Sequence, residues 1–136
     1  MLSTKTRTSL ILLMAVGSSL LLCAWAFAGE IEIQVSPNVL NLLNNGTVVT
    51  VHTNVPFSSV EGSTVTLNGV VISHWKSDNR GNFVAKFDMD EIKDLVETGE
   101  LDLGEQTLVL TGTTVDGESF TGETNIDIVK NVPKKK

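Results

Sequence analysis

The sequence is poor in the residues that small exported domains and many enzymes depend on. It has one cysteine, Cys23, and no tyrosine. A single cysteine excludes an intramolecular disulfide, so a compact domain must be held by packing, by a partner or by a bound ion. Neither Gly-x-Ser-x-Gly nor His-Glu-x-x-His occurs, and the only histidines are His52 and His74. We therefore expect a protein that is not an enzyme, with a secreted hydrolase as an alternative.

The first 28 residues have the three parts of a secretory signal peptide. Lys5 and Arg7 supply a positive region, residues 10–22 are largely apolar, and Ala26 and Ala28 have the spacing of a cleavage site. We predict cleavage after Ala28 and export to the periplasm, the cell surface or the extracellular space. Losing 28 of the 136 residues leaves 108, the size of one domain, and moves the net charge from −6 to −8.

Two alternatives to cleavage stay open. A retained anchor would have to span the membrane with an apolar run shorter than the about 20 residues that a helix needs, so we expect no stable span after processing. Lipidation at Cys23 is the other alternative. Leu20 fits such a motif, whereas Leu22 stands where a small residue normally precedes the cysteine.

The acidic composition also limits the partners. A surface of this charge repels nucleic acid, and the one basic run, residues 134–136, is too short for a phosphate-binding patch. We expect residues 132–136 to form a solvated basic tail.

Apolar and polar residues alternate along most of the chain, which is typical of half-buried strands. The predicted strands are 30–35, 47–55, 63–67, 70–75, 82–87, 106–115 and 119–129. Asn68-Gly69 predicts a type I′ hairpin, and Asp116-Gly117 predicts a turn of the same kind. Pro37 ends the first strand. Two glycines inside the last pair of strands indicate bulges or crossings where the backbone needs room. They are Gly112 and Gly122.

One segment has helical spacing instead. Apolar residues recur every three or four positions between 88 and 98, with Asp88 as the N-cap, Glu91 three residues on and Gly99 at the C-terminal end. The pattern predicts one short helix. The whole chain is thus predicted to be all-β, an immunoglobulin-like antiparallel β-sandwich of about seven strands at 29–131, with a connecting helix (88–98) and a preceding signal peptide. Trp75 is expected in its core or at a sheet edge.

Several segments resemble a recurring β-sandwich domain of exported bacterial and archaeal proteins. They are residues 36–42 (SPNVLNL), 63–68 (STVTLN), 84–88 (VAKFD), 110–112 (LTG) and 116–122 (DGESFTG). The resemblance implies a module of surface or secreted polypeptides and no catalytic role. Thr124 departs from it, since the family tends to be acidic two residues beyond the glycine at position 122.

The resemblance also implies a loop suited to a divalent cation before the fifth predicted strand. Here this loop is 77–82, where Asp78 and Asn82 offer oxygen ligands for calcium. Arg80 opposes a cation, and one carboxylate is few for calcium, so a polar turn with Gly81 at positive φ is the competing interpretation. Calcium binding is the alternative function.

The remaining polar candidates have simple explanations. We expect His52 and His74 at the surface or rim. Asp88 with Asp90, and Glu100 with Asp102, form carboxylate pairs that helix capping and loop solvation explain. The expected function is therefore an interaction or structural module, contacting a protein or an envelope component through loops or an exposed strand edge. The sequence does not indicate the oligomeric state.

Overall fold

The computed structural model of the protein describes residues 29–131, so the predicted signal peptide, Cys23 and the basic tail lie outside the described residues. The elements are β1 (Gly29–Glu30), β2 (Ile33–Ser36), β3 (Val39–Asn41), β4 (Val48–Pro56), a 3₁₀ turn (Phe57–Ser59), β5 (Val60–Leu67), β6 (Val70–Val71), β7 (His74–Ser77), β8 (Asn82–Asp88), α1 (Met89–Glu97), β9 (Gly104–Thr114) and β10 (Ser119–Val129).

The strands form two sheets. One has four strands in the order β2-β4-β8-β7, and the other has six, with β1-β10-β9-β5-β6 in line and β3 also paired with β10. Seven strands have four or more residues, namely β2, β4, β5, β7, β8, β9 and β10. When these are numbered from one to seven along the chain, one sheet has the order 1-2-5-4 and the other has the order 7-6-3. This is the strand order of an immunoglobulin-like sandwich, so the predicted fold class is confirmed.

Two predicted strands are each divided between the sheets. Residues 30–35 were predicted as one strand, but β1 pairs with β10 and β2 pairs with β4 in the other sheet. Residues 70–75 divide in the same way, because β6 pairs with β5 and β7 with β8. The alternation continues through both crossings since each piece turns its apolar side towards the same core. It therefore does not indicate which sheet a piece joins.

The sandwich is not wholly antiparallel. β1 and β3 both pair with β10 in parallel. No strand was predicted at β3, where Pro37 was interpreted as the end of a strand, yet Leu40 in its centre is buried. Of the three short strands, β1 and β6 are thus pieces of predicted strands, and β3 alone is an addition to the seven predicted.

The turns follow the predicted chemistry in one case and differ in the other. Asn68 and Gly69 have φ of 47° and 87°, as a type I′ turn requires. At the second hairpin only Gly117 has positive φ. There the Gly117 N–H donates to the Thr114 carbonyl at 2.9 Å and the Thr114 N–H donates to the Glu118 carbonyl at 2.8 Å. This is a three-residue loop with its glycine in the left-handed region, not a two-residue turn.

The predicted helix is confirmed with both ends. The carboxylate of Asp88 accepts from the Asp90 N–H at 2.9 Å, which caps the N-terminus. At the other end Gly99 has φ of 89° and its N–H donates to the Val96 carbonyl, while the Glu100 N–H donates to the Leu95 carbonyl. These two bonds form a Schellman motif.

The core lies between the sheets and is closed where the chain crosses. Its largest fully buried side chains come from both sheets and from α1, and include Phe83, Phe87, Leu67, Leu110 and Ile92. Gly122 is confirmed as a crossing, because a Cβ there would lie 2.9 Å from the Ile31 carbonyl oxygen and 2.9 Å from Ile33 Cγ2. The same test at Gly112 places a Cβ 2.7 Å from the Phe120 ring. Both glycines therefore make room for the core.

Candidate functional site

The charged residues are divided between the two sheets. In the described structure the strands of the four-stranded sheet contain one acidic residue, Asp88, and four basic ones. These are His52, His74, Lys76 and Lys86. The strands of the six-stranded sheet, as described, contain no Lys, Arg or His but five acidic residues. These are Glu30, Glu61, Glu105, Glu123 and Asp127. With His counted as neutral, the strands of the four-stranded sheet carry two positive charges and one negative charge, whereas those of the six-stranded sheet carry five negative charges.

Two rows of cross-strand neighbours form the middle of the outer side of the four-stranded sheet, and a further pair on the same side, Val48 and Asp88, lies beyond the second row. One row is Gln34, His52, Val84 and Lys76; the other is Ser36, Thr50, Lys86 and His74. Residues opposite one another in an antiparallel sheet share a face with Cα atoms about 4.5–5.5 Å apart. We call these eight residues the cationic face. Four of its eight positions are Lys or His and none is acidic, and exposed Asp88 adjoins the face on the same side of β8, two residues beyond Lys86.

The centre of the cationic face is apolar. Val84 is fully buried, yet it lies on the outer side of β8 and is not part of the core between the sheets. Its neighbours in the row are His52 and Lys76, whose ring and aliphatic stem can cover it. The Lys86 ammonium donates to Thr50 Oγ1 at 3.4 Å. The apolar centre of the face is therefore not exposed to solvent, and basic side chains lie on either side of it.

The outer side of the six-stranded sheet is polar and acidic. Residues that alternate outward on β5, β9 and β10 include many threonines, and Thr66 Oγ1 lies 3.0 Å from Thr111 Oγ1 across two strands. Four acidic side chains lie among them, and we call this surface the anionic face. They are Glu61, Glu105, Glu123 and Asp127.

Two of these carboxylates are direct neighbours. Glu105 and Asp127 are opposite one another in the β9–β10 ladder, and both are exposed. Like charges at such a position destabilise a sheet. Glu105 is held in place because the Asn125 amide donates to its Oε2 at 2.8 Å, and Asn125 Oδ1 accepts from Thr107 Oγ1 at 2.8 Å. The pair is therefore a fixed local concentration of negative charge.

A groove of about 720 Å³ adjoins the cationic face at the end where β4 and β7 finish. Gln34 and His52 belong to both surfaces, and Arg80 and Asn54 also line the groove. Its charge is mixed, because Glu32, Asp78 and Glu123 line it as well. The groove is therefore the polar edge of the cationic face, and its mixed charge distinguishes the two surfaces.

The 77–82 loop forms a polar turn. Asp78 Oδ1 accepts from the Arg80 N–H at 2.8 Å and from the Asn82 N–H at 2.9 Å, and Gly81 has φ of 86°. These bonds, first that from Asn82 and then that from Arg80, together with the nearby Arg80 charge, lower the pKa of Asp78. No group of three His, Cys, Asp or Glu in residues 29–131 is arranged to hold a metal. This geometry favours the polar turn, and calcium binding by Asp78 and Asn82 is the untested alternative.

The other sequence candidates are dispersed. His52 and His74 are both exposed, as expected, and lie on the cationic face. Asp88 caps α1 through Asp90, while Glu100 and Asp102 lie in the exposed segment between α1 and β9. Each carboxylate pair thus has a structural position. Within the part of the chain that is described, no helix has the length and hydropathy to cross a membrane.

Neither family models nor curated proteins match the chain. Among solved structures it is similar to the crystal structure of a bacterial immunoglobulin-like domain from the M. primoryensis ice-binding adhesin. The two share 24% identity over 76% of this chain and 98% of that domain, with a TM-score of 0.41. The assignment of this chain to the immunoglobulin-like sandwiches rests on its own strand order.

The division of charge between the sheets was not predicted. Alternation places Lys86 on the side of β8 away from Phe83, Ala85 and Phe87, which the sequence shows. It does not show that β7 and β4 flank β8, because strand pairing is a long-range property. The signal in the sequence was the absence of basic residues from the segments that became β5, β9 and β10.

Proposed function

We propose that this chain is an exported, non-catalytic interaction module that acts in the periplasm, at the cell surface or outside the cell. It contacts an anionic partner, a protein or an envelope component, through the cationic face. The observation that carries the proposal is the gathering of Lys76, Lys86, His52 and His74 on one face of a domain whose net charge is negative.

The physical basis is local electrostatics. At physiological salt, charges are screened beyond about 8 Å, so an approaching partner responds to the nearest face more than to the net charge of the domain. Ser36 and Thr50 contribute short polar side chains to the cationic face, and its long side chains are those of the two lysines, the two histidines and Gln34. Charged residues at the margin of such a surface determine orientation and association rate. The surface suits broad contact more than enclosure of a small substrate.

The test uses residues 29–136, because both sheets and the buried core lie within 29–131. Binding to immobilised poly-L-glutamate is measured for the wild type and for Lys76→Gln/Lys86→Gln. The matched control is Lys93→Gln/Lys130→Gln, which removes the same charge away from the cationic face. We expect binding to fall at least tenfold in the first variant and to stay within about twofold of wild type in the control.

Equal losses in the two variants would show a response to net charge alone and would contradict the proposal. Export is tested separately by the mass of the recovered protein, which should begin at Gly29. A lipidated N-terminus at Cys23 or an intact leader would correct that part. Hydrolysis of an ester, peptide or sugar that one His or carboxylate substitution abolishes would overturn the non-catalytic assignment.

A further inference from the structure

We infer that the partner of the cationic face is the anionic face of a second copy of this chain. The inference rests on the proposed function, since it names the occupant of that same surface. The two faces lie on opposite sides of the sandwich, so the contact joins different surfaces of successive copies. Such a heterologous contact continues from copy to copy unless its rotation closes a ring.

Charge complementarity supports this occupant. The cationic face presents Lys76 and Lys86 within two positions of each other along paired strands, and the one acidic residue of this sheet, Asp88, lies beyond Lys86 at the end of β8, where it caps α1. The anionic face presents Glu105, Glu123 and Asp127 among uncharged Thr and Asn side chains, and its strands carry no described basic residue. In the described sheets each face thus has the sign that the other needs.

The short side chains on both faces would also allow the two sheets to approach closely. Both are surfaces of twisted sheets, which pack against one another about 10 Å apart when their side chains are short. The outward residues of the anionic face are mostly Thr, Ser and Asn, and those of the cationic face include Ser36, Thr50 and Gln34. A contact between these two faces would bury on the order of 1,000 Å² in total, an area typical of weak and reversible association.

Repulsion between Glu105 and Asp127 within one copy would add to the free energy gained when two copies associate. Within one copy their directly opposed carboxylates repel each other, which costs stability in a sheet. A lysine from the cationic face of the next copy would relieve this repulsion. The pair is therefore unfavourable in the free domain and favourable in the contact.

The opposite effects of Asp127 on stability and on association distinguish an interface residue from one with only a structural role. Asp127→Asn keeps the shape of the side chain and leaves the bond from the Asp127 N–H to the Asn38 carbonyl intact. It removes the like-charge pair, so the melting temperature should rise by about 2–4 °C. It also removes a contact charge, so self-association should weaken. A residue with only a structural role would not move the two quantities in opposite directions.

The decisive experiment is sedimentation velocity of residues 29–136 at concentrations up to about 1 mM, near physiological salt, where contacts of this class are measurable. The wild type should show a concentration-dependent increase in sedimentation coefficient. Lys76→Gln/Lys86→Gln removes the lysines of the cationic face and leaves the anionic face intact. Glu105→Gln/Asp127→Asn removes two carboxylates of the anionic face and leaves the cationic face intact. Each variant alone should remain monomeric. An equimolar mixture should form a 1:1 complex that does not grow further, since each variant supplies the face that the other has lost.

The other outcomes each contradict the inference in a distinct way. A monomeric wild type that still binds poly-L-glutamate through Lys76 and Lys86 overturns the second copy as partner and leaves the proposed function standing. A monomeric wild type without polyanion binding overturns both. Self-association that persists in both variants, or a mixture that stays monomeric, shows that other surfaces are used and overturns the pairing of these two faces.

Discussion

The indole of Trp75 lies directly over Gly62, so that an edge strand of the four-stranded sheet rests against β5 of the other sheet. Trp75 pairs with Ala85 and points inward, and its side chain is 38% exposed at the rim of the sandwich. A Cβ at Gly62 would lie 2.5 Å from the indole nitrogen and 2.6 Å from Cδ2. Trp75 is therefore the expected sheet-edge aromatic, and Gly62 is the partner that its position requires.

Gly62→Ala should destabilise the domain by about 1–3 kcal/mol, because the indole must move or the strands must separate. Urea unfolding of the wild type, Gly62→Ala, Trp75→Ala and the double variant measures the coupling. We expect Gly62→Ala to cost at least about 1 kcal/mol less in the Trp75→Ala background. Equal costs in the two backgrounds would show that the close approach does not limit this position.

Asn68→Ala should cost about 1–3 kcal/mol of unfolding free energy. Asn68 has φ of 47°, its Oδ1 accepts from the Val109 N–H at 2.6 Å, and alanine supplies neither feature. Asn68→Gly, which tolerates the backbone conformation, should lose only the side-chain bonds and cost less. Asn45→Ala is the control, because Asn45 lies in an exposed loop, and we expect a change within about 0.5 kcal/mol. A loss at Asn45 comparable to that at Asn68 would count against this explanation.

The pH dependence of Asp78 follows from its turn. Its pKa lies below the ordinary value of 3.8, mainly because the Asn82 and Arg80 N–H groups donate to the carboxylate. A lowered folded-state pKa stabilises the fold above the unfolded value, and this contribution is lost as the pH falls through the folded pKa. A carbon-13 titration of the Asp78 carboxyl should therefore show a midpoint below 3.8. Asp78→Asn should lose less stability than wild type as the pH falls below about 4. A midpoint at or above 3.8 would contradict the turn geometry.

Calcium should not raise the melting temperature. Asp78 Oδ1 already accepts two backbone hydrogen bonds, and Arg80 adds a positive charge to the same turn. Thermal unfolding with excess calcium and with a chelator checks this expectation, since a ligand that binds the folded state raises its stability. A calcium-dependent rise that disappears in Asp78→Ala would establish the ion site as the function of the loop.

The sequence was sufficient for the elements that depend on local chemistry. The alternation of Val49 and Val51 against His52, the Asn68-Gly69 turn and the Asp88 cap were all predicted, because each depends on neighbouring residues alone. Gly122 was predicted as a bulge or a crossing where the backbone needs room, and the structure places it against Ile31 and Ile33, where the chain crosses. The partner at Gly62 was not, since Trp75 reaches it from a different sheet.

The limit of the sequence lies in strand pairing. The run from Glu30 to Val35 keeps one alternation while the chain passes from one sheet to the other, so the pattern predicts burial and not partnership. The cationic face combines residues from β2, β4, β7 and β8. Along the chain β5 and β6 separate β4 from β7 and β8, and both belong to the other sheet. The face could be recognised only from the strand order of the two sheets. The same order places Lys76 and Lys86 in one sheet and Glu105 and Asp127 in the other.

The most direct test of the cationic face as the contact surface is an NMR titration of nitrogen-15-labelled residues 29–136 with poly-L-glutamate. We expect amide shifts to concentrate on the two rows that contain His52, Val84, Lys76 and Lys86, and we expect Lys76→Gln/Lys86→Gln to abolish them. Shifts spread evenly over the domain, or concentrated around Glu105 and Asp127, would contradict this expectation.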